Sequence, residues 1–277
     1  MAGLLQALVS ENFSNLPLSN DFMFSEVMRQ EEICTLFLEE LLQMPIAQIK
    51  YINKQADLTD SKSWHGIRLD VYIRDENNTV YNIEMQTTNG DDLERRARFY
   101  QAGIDRQTLA KGQKYKTMPE SFIIFVCNFD YFEAGLPVYK RMSCIETRED
   151  IIYDDGSRVY FLNSKFTDPG DTPNAIIEFL HCIETNDLAC GYQSELMRAV
   201  CPAIKEVRNN EEKEVYYMTW LEKCEQFHEE GRKEEKRAVI IRMGHNGDKV
   251  SHIMDMADAS EKFVLQVLEE EKIKPIF

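Results

Sequence analysis

The sequence IRLDVYI at residues 67–73 is followed by the turn-forming residues RDENNT and then by VYNIEMQ at residues 80–86. In both runs apolar residues alternate with polar ones, which predicts two strands of a β-hairpin with one buried face. Successive side chains of a strand point to opposite faces, so Asp70 lies opposite the buried face, and Glu84 and Gln86 share that outer face on the next strand. Asp and Glu are uncommon in strands, so carboxylates on neighbouring strands need an explanation.

Two explanations fit this pattern. The first is a divalent metal site, because Mg²⁺ prefers oxygen ligands, commonly one or two carboxylates, and completes its shell with water and substrate phosphate. The second is the solvated outer face of an antiparallel sheet, where Asp70 and Glu84 simply meet water. The spacing alone leaves both explanations open.

From Asp70 onward the chain resembles the PD-(D/E)XK nuclease superfamily, in its transposase and recombination-promoting nuclease branch. The stretches that carry this resemblance are RLDVYIRDENNTVYNIEMQ (68–86), RRARFYQAGIDRQTLAKGQKY (95–115) and ESFIIFVCNFDYF (120–132). Upstream, NDFMFSEVM (20–28) resembles the opening helix of that branch, and residues 238–270 resemble its C-terminal helical hairpin.

The resemblance implies a site and a reaction. It implies that Asp70 is the metal-binding aspartate, that Glu84 is the acidic residue of the (D/E)xK element, and that Gln86 stands at the position of the lysine. A glutamine can orient the attacking water by hydrogen bonds but cannot supply a positive charge, so activation of the water would rest mainly on the metal. The implied function is a Mg²⁺-dependent DNA endonuclease of a mobile element, with Mn²⁺ as a substitute metal.

A basic segment follows the hairpin. Residues 95–116 carry seven Lys or Arg side chains against one Asp, in a chain whose net charge is −16. Guanidinium groups can donate two hydrogen bonds to one phosphate, so the candidates for DNA binding are Arg95, Arg96, Arg98 and Arg106. The acidic remainder predicts weak binding that depends steeply on salt. A basic helix face that only meets water is the alternative.

An upstream helix is predicted after Ser19-Asn20-Asp21, which offers N-cap chemistry, and Pro45 ends it. We interpret Asp21 as a cap in preference to a catalytic group. Other nucleases of the superfamily take an extra acidic ligand from this helix, so Asp21 and Glu26 are accessory candidates for the site.

The order of the elements predicts the fold class. A strand is expected within 46–58, a helix from Asp91 to Ala110, and a strand buried on both faces over the apolar run 121–127. The order helix, three strands, helix, strand predicts an α/β sandwich around a mixed sheet. The resemblance implies the same architecture, a restriction-endonuclease-like αβββαβ core.

Turns and proline residues predict the remaining organisation. The turn Asp154-Asp155-Gly156-Ser157 predicts a peripheral hairpin that joins 151–153 to 159–161, with the aspartates serving the turn and not a second metal site. Pro169-Gly170 predicts a boundary. We therefore expect a nuclease-like domain over 1–170, a helical extension over 171–237 and a short C-terminal helical hairpin over 238–277.

Composition constrains the compartment and the partners. The seven cysteines are scattered without a Cys-x-x-Cys pair, which favours reduced thiols and gives no indication of a zinc site. Met1–Val9 lacks the basic start of a signal peptide, and no apolar run is long enough to cross a bilayer. We therefore expect a soluble, cytoplasmic protein without a membrane partner.

Two functional alternatives stay open at this stage. The chain could be a decayed nuclease-fold protein that serves as a DNA-binding or protein-interaction module, because a fold does not secure a function. It could be a defence nuclease that acts on RNA, since the sequence offers no motif that selects DNA over RNA.

Two-strand cleavage commonly needs two sites, so a C2 homodimer is the expected assembly for a DNA endonuclease.

Overall fold

The computed structural model describes residues 13–57, 68–90, 92–109 and 111–277, without the side chains of residues 51–57, 68, 69, 220 and 223–230. These residues form two compact units, one that ends at Asn210 and one that runs from Glu211 to Phe277. Several predicted features lie outside the described residues: the segment Met1–Val9, Ile67 at the start of the hairpin, and both predicted ends of the following helix, Asp91 and Ala110.

Two helices open the first unit, α1 (Asp21–Met28) and α2 (Glu31–Leu42). The side chain of Asn20 caps α1, because its Oδ1 accepts hydrogen bonds from the backbone N–H groups of Phe22 and Met23, at 3.0 and 3.3 Å. The interpretation of Asp21 as the cap is therefore wrong: Asp21 is the first residue of the helix and is exposed. A carboxylate there still suits the positive end of the helix dipole.

The central sheet of the first unit is mixed and six-stranded. The strands of the unit are β1 (Ile49–Asp57), β2 (Arg68–Asp75), β3 (Val80–Gln86), β4 (Ser121–Cys127), β5 (Val138–Lys140), β6 (Cys144–Ile145), β7 (Arg148–Ile152) and β8 (Ser157–Asn163). In the central sheet they occur in the order β1-β2-β3-β4-β8-β5, where β3 is parallel to β4, β4 is parallel to β8, and the other neighbours are antiparallel. The helix α3 (Leu93–Thr108) connects β3 to β4. This architecture confirms the predicted α/β sandwich and the αβββαβ order of its core.

The predicted peripheral hairpin is wrong in its pairing. Strand β7 pairs with β6 in a separate two-stranded sheet, whereas β8 lies inside the central sheet between β4 and β5. The turn itself is present, because Asp154 Oδ1 accepts from the N–H of Gly156 at 3.1 Å and Asp155 Oδ1 accepts from the N–H of Ser157 at 2.9 Å. The aspartates therefore serve the turn, as predicted.

Both faces of β3 are covered. One face packs under α3 in a cluster that includes Val80, Ala97, Tyr100, Phe125 and Phe161. On the other face lie the apolar side chains of Tyr81, Ile83 and Met85, all nearly inaccessible to solvent. The face that carries Asn82 and Glu84 is therefore buried, and the alternative of a water-facing sheet does not hold for Glu84.

The first unit ends with two helices, α4 (Asn174–Thr185) and α5 (Glu195–Arg208), and α5 packs against α1, α2 and α4. The guanidinium group of Arg208 donates hydrogen bonds to the carbonyl oxygen of Leu16 at 2.8 Å and to Asn186 Oδ1 at 2.6 Å, which joins this helix layer to the beginning of the chain. These helices thus share one compact unit with the sheet. The three-part division predicted from the sequence stays a prediction.

The second unit consists of α6 (Glu211–Asn246), α7 (Val250–Ala257) and α8 (Glu261–Glu270). Its core joins Ile240 of α6 to Ile253 of α7 and to Val264 of α8. Gly244 permits the close approach of α6 to α8, because a Cβ atom at this position would lie 2.5 Å from Leu268 Cδ2. Among the helices described, none has the length and apolar composition needed to cross a membrane.

Candidate active site

The pairing of β2 with β3 brings two carboxylates together. Tyr72 lies opposite Asn82 and Val71 lies opposite Ile83, so the next pair along these antiparallel strands is Asp70 and Glu84. The N–H of Asp70 donates a hydrogen bond to Glu84 Oε1 at 3.2 Å, and the N–H of Met85 donates one to Asp70 Oδ2 at 3.1 Å. Each carboxylate is therefore held by the backbone of the opposite strand, which fixes the position of both.

Glu84 is buried and close to another negative charge. Its side chain is 2% exposed, and its Oε1 also accepts a hydrogen bond from Asn82 Nδ2 at 3.0 Å. Burial and then the charge of Asp70 raise the pKa of Glu84 well above its ordinary value, although the hydrogen bonds and Arg96 act in the opposite direction. A proton or a cation would therefore stabilise this carboxylate in its buried position.

Arg96 in the first turns of α3 points toward the strands. Its Nη1 donates a hydrogen bond to Gln86 Oε1 at 2.7 Å, its Nη2 donates one to the Tyr100 hydroxyl at 2.9 Å, and Nη2 lies 3.9 Å from Glu84 Oε2. The guanidinium carbon lies 5.6 Å from the centroid of the Tyr100 ring and 5.8 Å from that of Phe125. A positive charge therefore stands beside Glu84 even though position 86 holds no lysine.

The contact with Arg96 determines which part of Gln86 can act on a substrate. Because Gln86 Oε1 accepts from Arg96, the amide nitrogen Nε2 is the end that remains to donate hydrogen bonds. The side chain of Gln86 is partly exposed, so Nε2 can reach a bound molecule.

The other predicted residues differ in their exposure. Arg95, Arg98 and Arg106 are on the exposed surface of α3. Asp21 is exposed at the start of α1, whereas Glu26 in the same helix is 7% exposed and forms an ion pair with Arg29. The hydrogen bonds and the ion pair described above bring together Asp70, Glu84, Gln86 and Arg96.

Sequence reasoning missed the contributions of Asn82, Tyr100 and Phe125. Asn82 precedes Glu84 by two residues, so the period of a strand already placed both on one face. Tyr100 follows Arg96 by four residues, so the period of a helix placed both on one side of α3. These two spacings were the available signals, whereas the contact with Phe125 depends on the packing of α3 on the sheet.

The donor atoms of this site fit a hard divalent cation. No cluster of three or more His, Cys, Asp or Glu residues suited to a metal occurs in the described part of the chain, so a site here has two carboxylates at most from that set. One or two carboxylates with water and phosphate are the usual ligands of Mg²⁺, and oxygen donors also suit Mn²⁺. A further oxygen, Asn82 Oδ1, is buried without a hydrogen-bond partner among the described residues.

Comparison with models of known protein families gives a match over most of the chain. The model of a family described as PD-(D/E)XK nuclease family transposase matches residues 18–219. No curated protein matches the chain, and no solved structure does. The matched range includes α1, the whole central sheet and α3, and hence every residue of the network around Glu84.

Proposed function

Because the chain belongs to the PD-(D/E)XK nuclease family transposases, we propose that it is a metal-dependent DNA endonuclease of a mobile element. The family supports a nuclease or transposase type of function on a nucleic acid. The observation that carries the finer proposal is the pair of carboxylates, Asp70 and Glu84, each held by the opposite strand. Such a pair needs a positive charge, and a scissile phosphate brought to it needs the same.

Asp70 and Glu84 would hold Mg²⁺, for which Mn²⁺ can substitute. When bound, such a cation lowers the pKa of the attacking water and neutralises charge on the phosphate. Gln86 Nε2 donates a hydrogen bond to the water and so orients it. Arg96 holds Gln86 in this orientation and adds positive charge next to Glu84. This positive charge stabilises the negative charge that develops on the phosphate oxygens.

The exposed arginines of α3 supply the contacts to the substrate backbone. Arg95, Arg98 and Arg106 would bind phosphates that flank the scissile bond. A net charge of −16 opposes this binding at long range and weakens it. The phosphate contacts themselves make the affinity fall as salt rises.

Assembly and compartment are part of the same proposal. The described part of one chain carries one carboxylate pair held in this way, so cleavage of both strands of a duplex is served by a C2 homodimer. A reducing cytoplasm suits the thiols of Cys34 and Cys127, which are buried and unpaired.

Cleavage of supercoiled plasmid at low salt tests this proposal. The wild type is compared with Asp70→Asn and Glu84→Gln in Mg²⁺, Mn²⁺ and EDTA, because both substitutions keep a hydrogen-bond acceptor for the opposite strand and remove the charge. Asp150→Asn, at an exposed aspartate of the two-stranded sheet of β6 and β7, is the matched control. We expect nicking that needs a metal and is lost in the first two variants only. Two results would overturn the proposal: no cleavage by the wild type in Mg²⁺ and none in Mn²⁺, or cleavage by Asp70→Asn at the wild-type rate.

A further inference from the structure

A cavity of about 250 Å³ lies beside α3. Glu94 and Ala97 of α3 line one side of it, and Val159 and Phe161 of β8 line another. Phe161 is aligned with Phe125 of β4, which is aligned with Glu84 of β3. The cavity is therefore on the same sheet as the candidate active site, two strands away, which corresponds to about 10 Å at the usual spacing of strands.

Aromatic rings form much of the wall. Phe125 and Tyr131 each stack on the ring of Phe161, with centroids 5.4 and 5.7 Å away, and Phe132 meets that ring edge-on at 5.1 Å. Phe132 also contacts Tyr139, which lines the cavity, at 5.0 Å. Phe132 keeps 42% of its surface exposed, so it is the ring on which an incoming flat molecule can stack.

The segment that carries Phe132 is held in place by Asp130. The two oxygens of this carboxylate accept hydrogen bonds from the N–H groups of Glu133 at 3.0 Å and Gly135 at 2.7 Å, and from the hydroxyl of Tyr139 at 2.7 Å. The same hydroxyl accepts from the N–H of Leu136 at 3.1 Å. The aromatic wall is therefore formed before any ligand binds, which lowers the entropic cost of binding.

The charges around the cavity distinguish the inside from the outside. Glu94 lines the cavity and accepts a hydrogen bond from the hydroxyl of Tyr131. Lys140 also lines it, but its Nζ lies 5.6 Å from the centroid of the Tyr160 ring, and Tyr160 points to the other face of β8 from Phe161. The charge nearest the rings is therefore that of Glu94, which disfavours a phosphate group inside. Arg141 lines the exposed edge of the cavity, where its Nη2 donates to the carbonyl oxygen of Ser157 at 3.1 Å, and Arg98 lies one helical turn from Glu94 on the same side of α3. A ligand with an uncharged aromatic part and a flanking anionic backbone matches this arrangement.

We propose that this cavity binds one unstacked nucleobase of the nucleic acid whose backbone passes the candidate active site. The inference rests on the proposed function for the identity of the substrate. The base stacks on Phe132 while Arg98 and Arg141 contact the neighbouring phosphates. Withdrawing a base from its stack costs least in a single strand, so single-stranded segments are the preferred ligands.

Binding to strands with and without bases tests the inference directly. The full chain in EDTA is titrated, by fluorescence anisotropy, into an oligodeoxycytidylate of about twelve nucleotides and into an abasic strand with the same number of phosphates. One stacked base predicts about tenfold tighter binding of the first strand. Phe132→Leu keeps the apolar volume and removes the ring, so it should bind both strands equally. Phe132→Tyr should restore the preference, and Tyr153→Leu, at an exposed ring that does not line the cavity, should retain it.

Two results would overturn the inference: equal binding of both strands by the wild type, or an undiminished preference in Phe132→Leu. Because the titration contains no metal, its outcome is independent of cleavage. Base-dependent binding without cleavage in any metal would remove the proposed endonuclease and leave the cavity assigned. Metal-dependent cleavage without base-dependent binding would support the proposed endonuclease and remove the base-binding role of the cavity.

Discussion

Arg96 of α3 donates a hydrogen bond from Nη1 to Oε1 of Gln86 on β3 over 2.7 Å. This contact joins a helix residue that would otherwise count as one more surface arginine to the position where the (D/E)xK element has its lysine. The second arm of the same guanidinium group binds the Tyr100 hydroxyl. Arg96 is therefore a positioning residue in the proposed mechanism, because it acts on the reacting water through Gln86.

The first prediction concerns this coupling. Arg96→Lys keeps the charge but cannot hold both partners, because an ammonium group lacks the planar fork of a guanidinium. Loss of a hydrogen bond to a charged group predicts cleavage about tenfold slower, and Gln86→Ala should have a similar effect. The double variant should be no slower than the slower single variant, as measured by single-turnover cleavage of an oligonucleotide. If the double variant instead shows the product of the two single rate reductions, the two residues act independently and the prediction is wrong.

The second prediction concerns the lysine itself. Gln86→Lys restores the residue of the (D/E)xK element but places a second cation beside Arg96. Like charges about 4 Å apart cost roughly 1 kcal/mol or more, so we expect a melting temperature about 2–4 °C lower and no gain in cleavage. Gln86→Met, which loses the hydrogen bond without adding charge, should lower the melting temperature less than Gln86→Lys does. The double variant Gln86→Lys with Arg96→Gln has one cation again and should recover the melting temperature of the wild type. A Gln86→Lys variant that is as stable as the wild type and cleaves faster would contradict this prediction.

The third prediction follows from the raised pKa of Glu84, which burial and the charge of Asp70 produce. Since the folded-state pKa lies above the unfolded value of about 4.3, the folded protein binds the proton more tightly. The contribution of this group to stability is therefore fully present below that unfolded value and is lost as pH rises through the folded pKa. Glu84→Gln removes this dependence, so in EDTA it should be more stable than the wild type at pH 8, with the advantage vanishing near pH 4.

Urea unfolding across this pH range, with and without Mg²⁺, measures the effect. Asp150→Asn serves as the control for removal of one exposed carboxylate. Mg²⁺ should stabilise the wild type at pH 8 and leave Glu84→Gln unchanged, because a ligand that binds the folded state raises its stability. Parallel pH profiles of the wild type and Glu84→Gln in EDTA would contradict the assignment of this group.

Much of the fold could be predicted because its signals are local. Alternation over 67–73 and 80–86, and the continuous apolar run from Ser121 to Cys127, are patterns within single elements, and the structure has strands at each. The pairing of β8 was not predictable in this way. Its neighbour β4 ends thirty residues before β8 begins, and a turn at Asp154 and Asp155 is compatible with either partner.

The site could be predicted in part. The carboxylates of Asp70 and Glu84 follow from strand period and from the resemblance, and their role as metal ligands stays a prediction. The direction of Arg96 depends on how α3 packs over the sheet, which no local pattern in a cluster of arginines reveals. The burial of Glu84 has the same origin, because alternation alone left its face open to water while α3 covers it.

The fourth prediction separates the arginines by their surroundings. Arg95 and Arg98 are exposed, whereas Arg96 is committed to Gln86 and Tyr100. Each phosphate contact contributes about 0.9 to the slope of log affinity against log salt for duplex DNA, so Arg95→Ala with Arg98→Ala should reduce the slope by about 1.8. Arg96→Lys should leave the slope unchanged, as should Arg148→Ala, at an exposed arginine of β7 that is paired with Asp150. Anisotropy titrations in EDTA at several salt concentrations measure these slopes. An unchanged slope in the Arg95 and Arg98 double variant would mean that this face of α3 only meets water, and that the backbone of the substrate follows another path.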